Sequence, residues 1–310
     1  MINKSEIDAI TGAAPPLLKV SKKRSWALET PGAKKLLAEL PPDIKTKLIR
    51  CYLMNDVTNG TEEILNYLAN RSEIVTIIKS VPSSALAFEY LYRFKEAETP
   101  IDKYFVNSLS GYHVYLRLKA VEKNLYYWIK KFVDKGDVVM IDNMGSGPGH
   151  DVINVLEANP QLRDIVHVRN IDVDGQALEI GQLRVDKLRI KDSFSFIRKS
   201  FIKTRRRNAH IVILVGILCT LSYEICLKII KLAARYLRPG GILIHSTNQV
   251  VMSEWDPLTD FLMRLAGWCM DYKTDVESAT LTREAGLHYI TQFFDEYLHF
   301  QCMTVARRPP

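Results

Sequence analysis

The chain is poor in cysteine, with five in 310 residues, and none stands in a C-x-x-C pair or at metal-ligand spacing. Cys51, Cys219, Cys226, Cys269 and Cys302 are scattered, mostly in apolar surroundings, which excludes a disulfide framework and predicts reduced, structural thiols. A long apolar run is also missing. The most apolar stretch, Ala209 to Leu221, is shorter than the roughly 20 residues a membrane helix needs. Met1 to Ile10 is polar and has no hydrophobic centre, so no secretory signal is expected and the cytoplasm is the expected compartment. There is no internal repeat and no low-complexity tract. What remains is 47% apolar and 25% charged, the balance of an ordinary globular protein large enough for about two units.

The net charge of +7 raises the question of nucleic acid, because clustered Lys and Arg release counterions when they neutralise phosphates. The clusters are short, Lys22-Lys23-Arg24 and Arg205-Arg206-Arg207, and charge runs of this length usually sit in water. A nucleic-acid partner is not expected.

Residues 1 to 30 carry Pro15 and Pro16 among Lys, Ser and Ala and read as an arm. From Ala33 the spacing of apolar residues is helical over Ala33 to Glu39, Pro42 to Met54, Thr61 to Lys79, Ser84 to Ala97 and Tyr112 to Phe132. Residues 1–120 are therefore expected to form an all-helical region that lids a site, helps the chain dimerise, or both. After Gly136 the pattern alternates. Strands are expected at Val138 to Asn143, Val166 to Asp172, Ser193 to Phe201, Ile211 to Leu218 and Ile242 to Ser246. Helices are expected at Asp151 to Glu157, Gly175 to Lys187 and Tyr223 to Leu237, with Pro239-Gly240-Gly241 as a turn. Phe293 to Phe300 and Cys302 to Ala306 are expected to pair as an antiparallel hairpin at one edge. Residues 121–310 thus read as an α/β domain with a doubly wound, mostly parallel seven-stranded sheet.

The first strand runs into Gly145-Ser146-Gly147-Pro148-Gly149 and then a helix. Glycine allows a tight turn and close approach of backbone to a ligand, so this loop suits a nucleoside-type cofactor. Asp172, at the end of the second strand, can accept hydrogen bonds from both hydroxyls of a ribose. The dinucleotide pattern G-x-G-x-x-G would place a third glycine at position 150, where His150 stands; the spacing is G-x-G-x-G.

With Asp174 capping the next helix, the run Cys219-Thr220-Leu221-Ser222 after the fourth strand, the Leu237-Arg238-Pro239-Gly240-Gly241 turn and the closing hairpin, the ordered set resembles the class I S-adenosylmethionine-dependent methyltransferases. The resemblance covers roughly Asn124 to Arg308. It implies S-adenosylmethionine as cofactor, with Gly145, Ser146, Gly147 and Gly149 against its methionine part, Asp172 on the ribose and Val173 next to it. It also implies Ser200 and Phe201 near the adenine, and Gly216, Ile217 and Leu218 along the other side. The family usually carries an acid two residues before the first glycine; here Asn143 stands there, with Asp142 beside it. A narrower resemblance, to bacterial methyltransferases of fatty-acid methyl ester (3-hydroxypalmitate ester) biosynthesis, rests on Tyr115-Leu116-Arg117-Leu118-Lys119-Ala120-Val121, Ser246-Thr247-Asn248, Trp268 and Tyr272-Lys273-Thr274. It implies an acyl carboxylate as methyl acceptor.

Methyl transfer needs an acceptor held at attack distance, and a base only where the acceptor must lose a proton. His245, ending the fifth strand, is one candidate base; a hydrogen-bonded structural histidine is the competing reading. Tyr223, with Glu224, follows the fourth strand and either faces the acceptor or simply starts a helix. The segment Asn248 to Trp268 is apolar enough to wall an acceptor pocket or to be plain core. The Asn/Asp-Pro-Pro-Tyr/Phe signature of many nucleic-acid amino-methyltransferases is absent, Leu218-Cys219-Thr220-Leu221 standing in its place. The expected reaction is methylation of oxygen or nitrogen on a small-molecule or lipid-like acceptor.

Overall fold

The structure is a computed structural model that describes residues 24–58, 60–82, 84–205 and 208–310. The expected N-terminal arm up to residue 23, and Arg206 and Arg207, lie outside the described residues. The chain divides into two compact units. One takes the described residues up to Tyr115 together with Val250–Cys269; the other takes Leu116–Gln249 and Met270–Pro310. Residues 250–269, which the sequence pattern assigned to the α/β domain, therefore pack with the N-terminal helices.

In the helical unit, α1 (Pro31–Ala38) is capped by Thr30, and α2 (Pro42–Met54) ends on the left-handed Asn55. The single helix expected over Thr61 to Lys79 is two, α3 (Thr61–Ala69) and α4 (Glu73–Ser80). The break is chemical: Ser72 takes an extended backbone and its hydroxyl accepts the Val75 N–H, so the chain restarts there. Asp102 secures this corner by accepting from Ser72 Oγ at 2.5 Å and Ile74 N at 3.1 Å. After α5 (Ala85–Leu91) comes α6 (Pro100–Asn107), a helix the spacing did not predict, started by Thr99 at its cap and proline in its first turn. The unit also holds the first turns of α7 (Leu109–Val133), with α11 (Val251–Trp255) and α12 (Pro257–Leu265). Phe261 of α12 is fully buried and meets the Tyr52 ring edge-on at 5.6 Å.

The α/β unit is built on β1 (Val139–Met144), β2 (Val166–Asp172), β3 (Phe194–Arg198), β4 (Ala209–Leu214), β5 (Leu237–Asn248), β6 (His288–Phe294) and β7 (Gln301–Arg307). Among the described residues these form one seven-stranded sheet in the order β3-β2-β1-β4-β5-β7-β6, with β7 antiparallel to both neighbours. The helices are α8 (His150–Ala158), α9 (Gly175–Leu188), α10 (Tyr223–Ala234) and α13 (Asp275–Glu284), with the later turns of α7. The strand order reverses between β1 and β4, the place where open α/β sheets bind ligands.

Three expectations shift in detail. Pro239-Gly240-Gly241 lies inside the long β5 rather than before it, with a register irregularity opposite β4 between Ala209 and Ile211. The third strand stops at Arg198, and Ser200 and Phe201 begin a short 3-10 turn. The hairpin pairs residues 288–294 with 301–307, not 293–300 with 302–306. Residues 295–300 form its loop, in which Tyr297 (φ +75°) and His299 (φ +56°) take left-handed backbone that no strand can contain.

Side chains alternate between the faces of a strand. One face carries Val139 and Ile141, Val166 and Val168, Ile211 and Ile213, Ile242 and Ile244, and Val305, packed against Leu125, Ile129 and Phe132 of α7 and Val152 and Ile153 of α8. Each such aliphatic side chain contributes about 1.5–3 kcal/mol by burial. Toward the carboxyl ends of the same strands this face changes character. Further along this face come Asn143 on β1, Asn170 on β2, Ser246 and Asn248 on β5 and, beyond the apolar Met303, Gln301 on β7, all buried. A row of buried polar groups is costly unless each is partnered.

Candidate active site

The glycine loop leaves β1 beside the end of β2. Gly145 N donates to Ile171 O at 2.8 Å, and Gly147 N donates to Asp172 Oδ2 at 2.7 Å. Gly145, Gly147 and Gly149 hold φ of +62°, +52° and +78°, a backbone that side-chain-bearing residues rarely adopt. A Cβ on Gly145 would meet Ile217 Cδ1 at 2.1 Å, and one on Gly149 would meet Asn170 Nδ2 at 2.2 Å. Gly149 caps α8 in this conformation, so the loop delivers a helix N-terminus to the carboxyl edge. Asp172 Oδ1 accepts the Asp174 N–H at 2.9 Å, and each carboxylate oxygen keeps a further lone pair for a ribose hydroxyl. Val173 beside it is 66% exposed, an apolar surface next to that carboxylate. The cradle of positive-φ backbone, the carboxylate and this apolar shelf together fit S-adenosylmethionine.

The departure at Asn143 has a structural answer. Asn143 is buried and its Nδ2 donates to Asp151 Oδ1 at 3.0 Å, so a carboxylate stands behind the amide, supplied from α8. Burial pushes the Asp151 carboxyl up, opposed by hydrogen bonds from Val152 N and Asn143. Asp142, the acid beside Asn143 in sequence, points to the opposite face. There Arg169 grips it with Nε on Oδ1 at 2.7 Å and Nη2 on Oδ2 at 2.6 Å, a buried fork that leaves it no role at the loop.

Beyond β4, Gly216 takes φ +83° and its N–H donates to Ser246 Oγ at 2.9 Å. Gly216 and Ile217 are half-buried, whereas Leu218 is fully buried in the core under α10. Leu218 therefore does not line an open cleft. A Cβ on Gly216 would lie 3.5 Å from Arg117 Nη1, which sets this buried α7 arginine against the carboxyl edge. Lys273, also buried, donates from Nζ to Leu221 O at 2.6 Å and to Asp271, tying the loop after β4 to the segment after β5. Phe201 packs against the core under α10, and its carbonyl accepts the Tyr236 hydroxyl. Ser200 follows Lys199, whose N–H donates to Asp172 O at 2.8 Å, so the turn starts next to the Asp172 carboxylate.

The two candidate catalytic residues lie elsewhere. His245 is 0% exposed, its Nε2 is 2.9 Å from Thr282 Oγ1 of α13, and burial drives its pKa down to about 3. It stays neutral, and it faces α13 on the side of β5 opposite Ser246 and Asn248, which corrects the base assignment in favour of the structural reading. Tyr223 opens α10; burial raises its phenol, and its hydroxyl bonds to Glu284 of α13, so it belongs to helix packing. His150 is buried with Nδ1 2.9 Å from Arg184 Nη1. Met252 and Phe261 are core of the helical unit, and Trp268 meets Phe88 there at 5.6 Å. Thr274 closes a capping box with Glu277.

Sequence reasoning missed Asp151, Asp295 and Gln301, and quoted Arg117 only within a motif. The signals were present: Arg117 shares a helical stripe with Val121 and Leu125, and Asp295 follows directly on an apolar strand. Among the described residues no group of His, Cys, Asp and Glu is arranged to hold a metal ion.

Solved structures share this fold. A possible exported protein from Bordetella parapertussis superposes with a TM-score of 0.67 at 14% identity, over 96% of this chain and 100% of that one. Magnesium protoporphyrin IX methyltransferase from Synechocystis PCC 6803 with bound SAH gives 0.54 at 13% identity, over 75% and 98%. The S-adenosylmethionine-dependent methyltransferase SibL in its apo form gives 0.50 at 15% identity, over 76% and 73%. No curated protein matches the sequence. Residues 72–308, well over half the chain, match the family described as "Putative methyltransferase". The chain belongs to that family, and is a class I methyltransferase whose cofactor is S-adenosylmethionine.

Proposed function

We propose that the protein methylates oxygen or nitrogen of a small-molecule or lipid-like acceptor. The observation that carries this reading is the polar row on one sheet face, from Asn143 to Gln301, which lies at the carboxyl edge and extends past the glycine loop toward β5 and β7. Within this row Asn170 and Gln301 keep side-chain atoms without a protein partner, which suits a second, small polar ligand.

When bound, S-adenosylmethionine supplies an electrophilic methyl group. In this proposal the backbone of Gly145, Ser146, Gly147 and Gly149 cradles its methionine part and Asp172 holds the ribose. Val173, Ser200 and Phe201 flank the adenine, while Gly216 and Ile217 close the far side. Asn143, polarised by Asp151, takes the place of the usual acid at the ammonium. The protein's share of the rate is positioning, which can supply most of the acceleration of an in-line displacement.

A reducing compartment, the cytoplasm, is part of the proposal, supported by the lack of any disulfide among the described cysteines; no helix of the described residues is long and apolar enough to cross a membrane. A lid or dimer contact is assigned to the helical unit, where Leu53 and Met54 are exposed at the end of α2. The test is to incubate the protein with methyl-labelled S-adenosylmethionine and separate small-molecule, lipid and RNA fractions of a cell extract. Label is expected in the small-molecule or lipid fraction; label confined to RNA, or in no fraction, overturns the reading.

A further inference from the structure

The polar row ends at the β6–β7 hairpin, in a pair of acceptors without donors. Asp295, one residue past β6, is 0% exposed, and Gln301, which opens β7, is 1% exposed. They oppose each other across the hairpin: Gln301 N donates to Asp295 Oδ1 at 2.5 Å, and Asp295 N approaches Gln301 O at 3.4 Å. Their side chains therefore share a face and lie within reach of one another. Oδ1 of Asp295 is taken by the Gln301 N–H at the loop's end. Oδ2 of Asp295 and Oε1 of Gln301 accept nothing. Gln301 spends its amide N–H on Asn248 Oδ1 at 2.5 Å, which fixes which way its oxygen is turned. A hairpin cap explains Oδ1 alone.

The charged groups acting here are few. Arg117 of α7 lowers the Asp295 pKa from across the edge, and the neighbouring Cys302 thiol on β7 is pushed up to about 12, chiefly by burial, so it stays neutral. Burial outweighs Arg117 and raises the Asp295 carboxyl to about 7. A carboxylate in that range can take up a proton at neutral pH and give it back. Two unpaired acceptors favour a ligand group that donates hydrogen bonds, and they disfavour a carboxylate, which donates none.

We propose that Asp295 Oδ2 accepts the hydrogen bond of a hydroxyl group of the methyl acceptor and Gln301 Oε1 that of a neighbouring donor on the same molecule, with Asp295 as general base and Arg117 as the nearby cation. The inference rests on the methyl-transfer reading above and names its substrate class. The acceptor O–H bond breaks and its proton passes to Asp295 Oδ2. The oxygen's electron pair forms the new O–CH3 bond as the S–CH3 bond breaks, its electrons remaining on sulfur to leave a neutral thioether. The product is a methyl ether.

The test uses the full chain, methyl-labelled S-adenosylmethionine and the extract fraction that accepts label, with Asp295→Asn and Gln301→Met beside the wild type. Asparagine keeps the Oδ1 acceptor that holds the hairpin, so Asp295→Asn is expected to melt near the wild-type temperature. It is expected to bind S-adenosylmethionine within twofold of wild type by calorimetry while labelling falls by about 100-fold or more. The wild-type rate should rise with pH through an inflection near 7 that the variant lacks. Gln301→Met should weaken acceptor binding, raising KM more than it lowers kcat. The labelled product should survive mild alkali, as a methyl ether does. Release of methanol in alkali would show a methyl ester, and labelling by Asp295→Asn within threefold of wild type would show a proton that needs no base; either overturns this inference while leaving methyl transfer intact. Failure of the wild type to label any fraction overturns methyl transfer itself, and this inference with it.

Discussion

Two buried aspartates in the α/β unit each have an arginine acting on them, and they differ in what is left over. Asp142 gives one oxygen to Arg169 Nε and the other to Nη2, and Arg169 Nη1 goes on to Arg205 O. The pair is closed, and nothing remains to recognise a ligand. Asp295 spends one oxygen on the backbone and keeps the other unpaired, with Arg117 acting on it by charge and no fork between them. Burial and charge are common to both sites, so neither marks function. What sets Asp295 apart is its unspent oxygen beside a second unspent acceptor on Gln301, the pair on which the proposed acceptor site rests.

The largest effect expected from this contrast is on stability at the closed pair. Asp142→Ala leaves the Arg169 guanidinium buried without its carboxylate and should cost about 3–5 kcal/mol in denaturant unfolding. Replacing both members, Asp142→Leu with Arg169→Met, should recover most of it, since a matched apolar pair avoids the desolvation penalty of two charges. Full loss in the double variant as well would mean that the fork is more than structural.

Next in size is the pH dependence at the open site. Asp295 is raised to about 7 in the fold, against roughly 3.9 in an unfolded chain. Between these values the native state binds more protons than the unfolded one, so this group's contribution makes stability fall as pH rises from about 4 to 7. The slope approaches roughly 1.4 kcal/mol per pH unit near the middle of that window. Unfolding curves of Asp295→Asn should lack this component, and curves that coincide with wild type at every pH would remove the contrast. Smallest is Arg117→Met. Arg117 lowers the Asp295 pKa, so its loss should move the upper end of the pH window to higher pH at a stability cost of about 1 kcal/mol. A shift to lower pH would contradict the assigned charge relation.

Much of the α/β unit was legible in the sequence because its signals are local. β2 falls on the expected residues, Val166 to Asp172, since the alternation of Val166 and Val168 with polar residues between Asp164 and Asp172 can be read without its neighbours. The loop and Asp172 were legible because backbone geometry demands glycine there. What failed depended on partners distant in sequence. The Asn143–Asp151 bond and the exclusion of Asp142 follow from which face each residue occupies, and His245 was misplaced because its cover, Thr282, lies 37 residues further on. The hairpin shifted because left-handed Tyr297 and His299 close a loop that residue type alone does not announce. The break at Ser72 was legible in principle, as Ser72 precedes a Glu-Ile-Val helix start.

The central claim is that the loop from Gly145 to Gly149 and Asp172 together hold S-adenosylmethionine at the carboxyl edge of β1 and β2. Calorimetric titration of S-adenosylmethionine into wild type, Gly147→Val and Asp172→Ala tests it most directly. Valine cannot take the +52° backbone at 147, and alanine removes the acceptor for the ribose, so both variants should bind at least about tenfold more weakly, a loss of about 1.4 kcal/mol or more. Affinity equal to wild type in both variants, with the fold retained, would contradict the account.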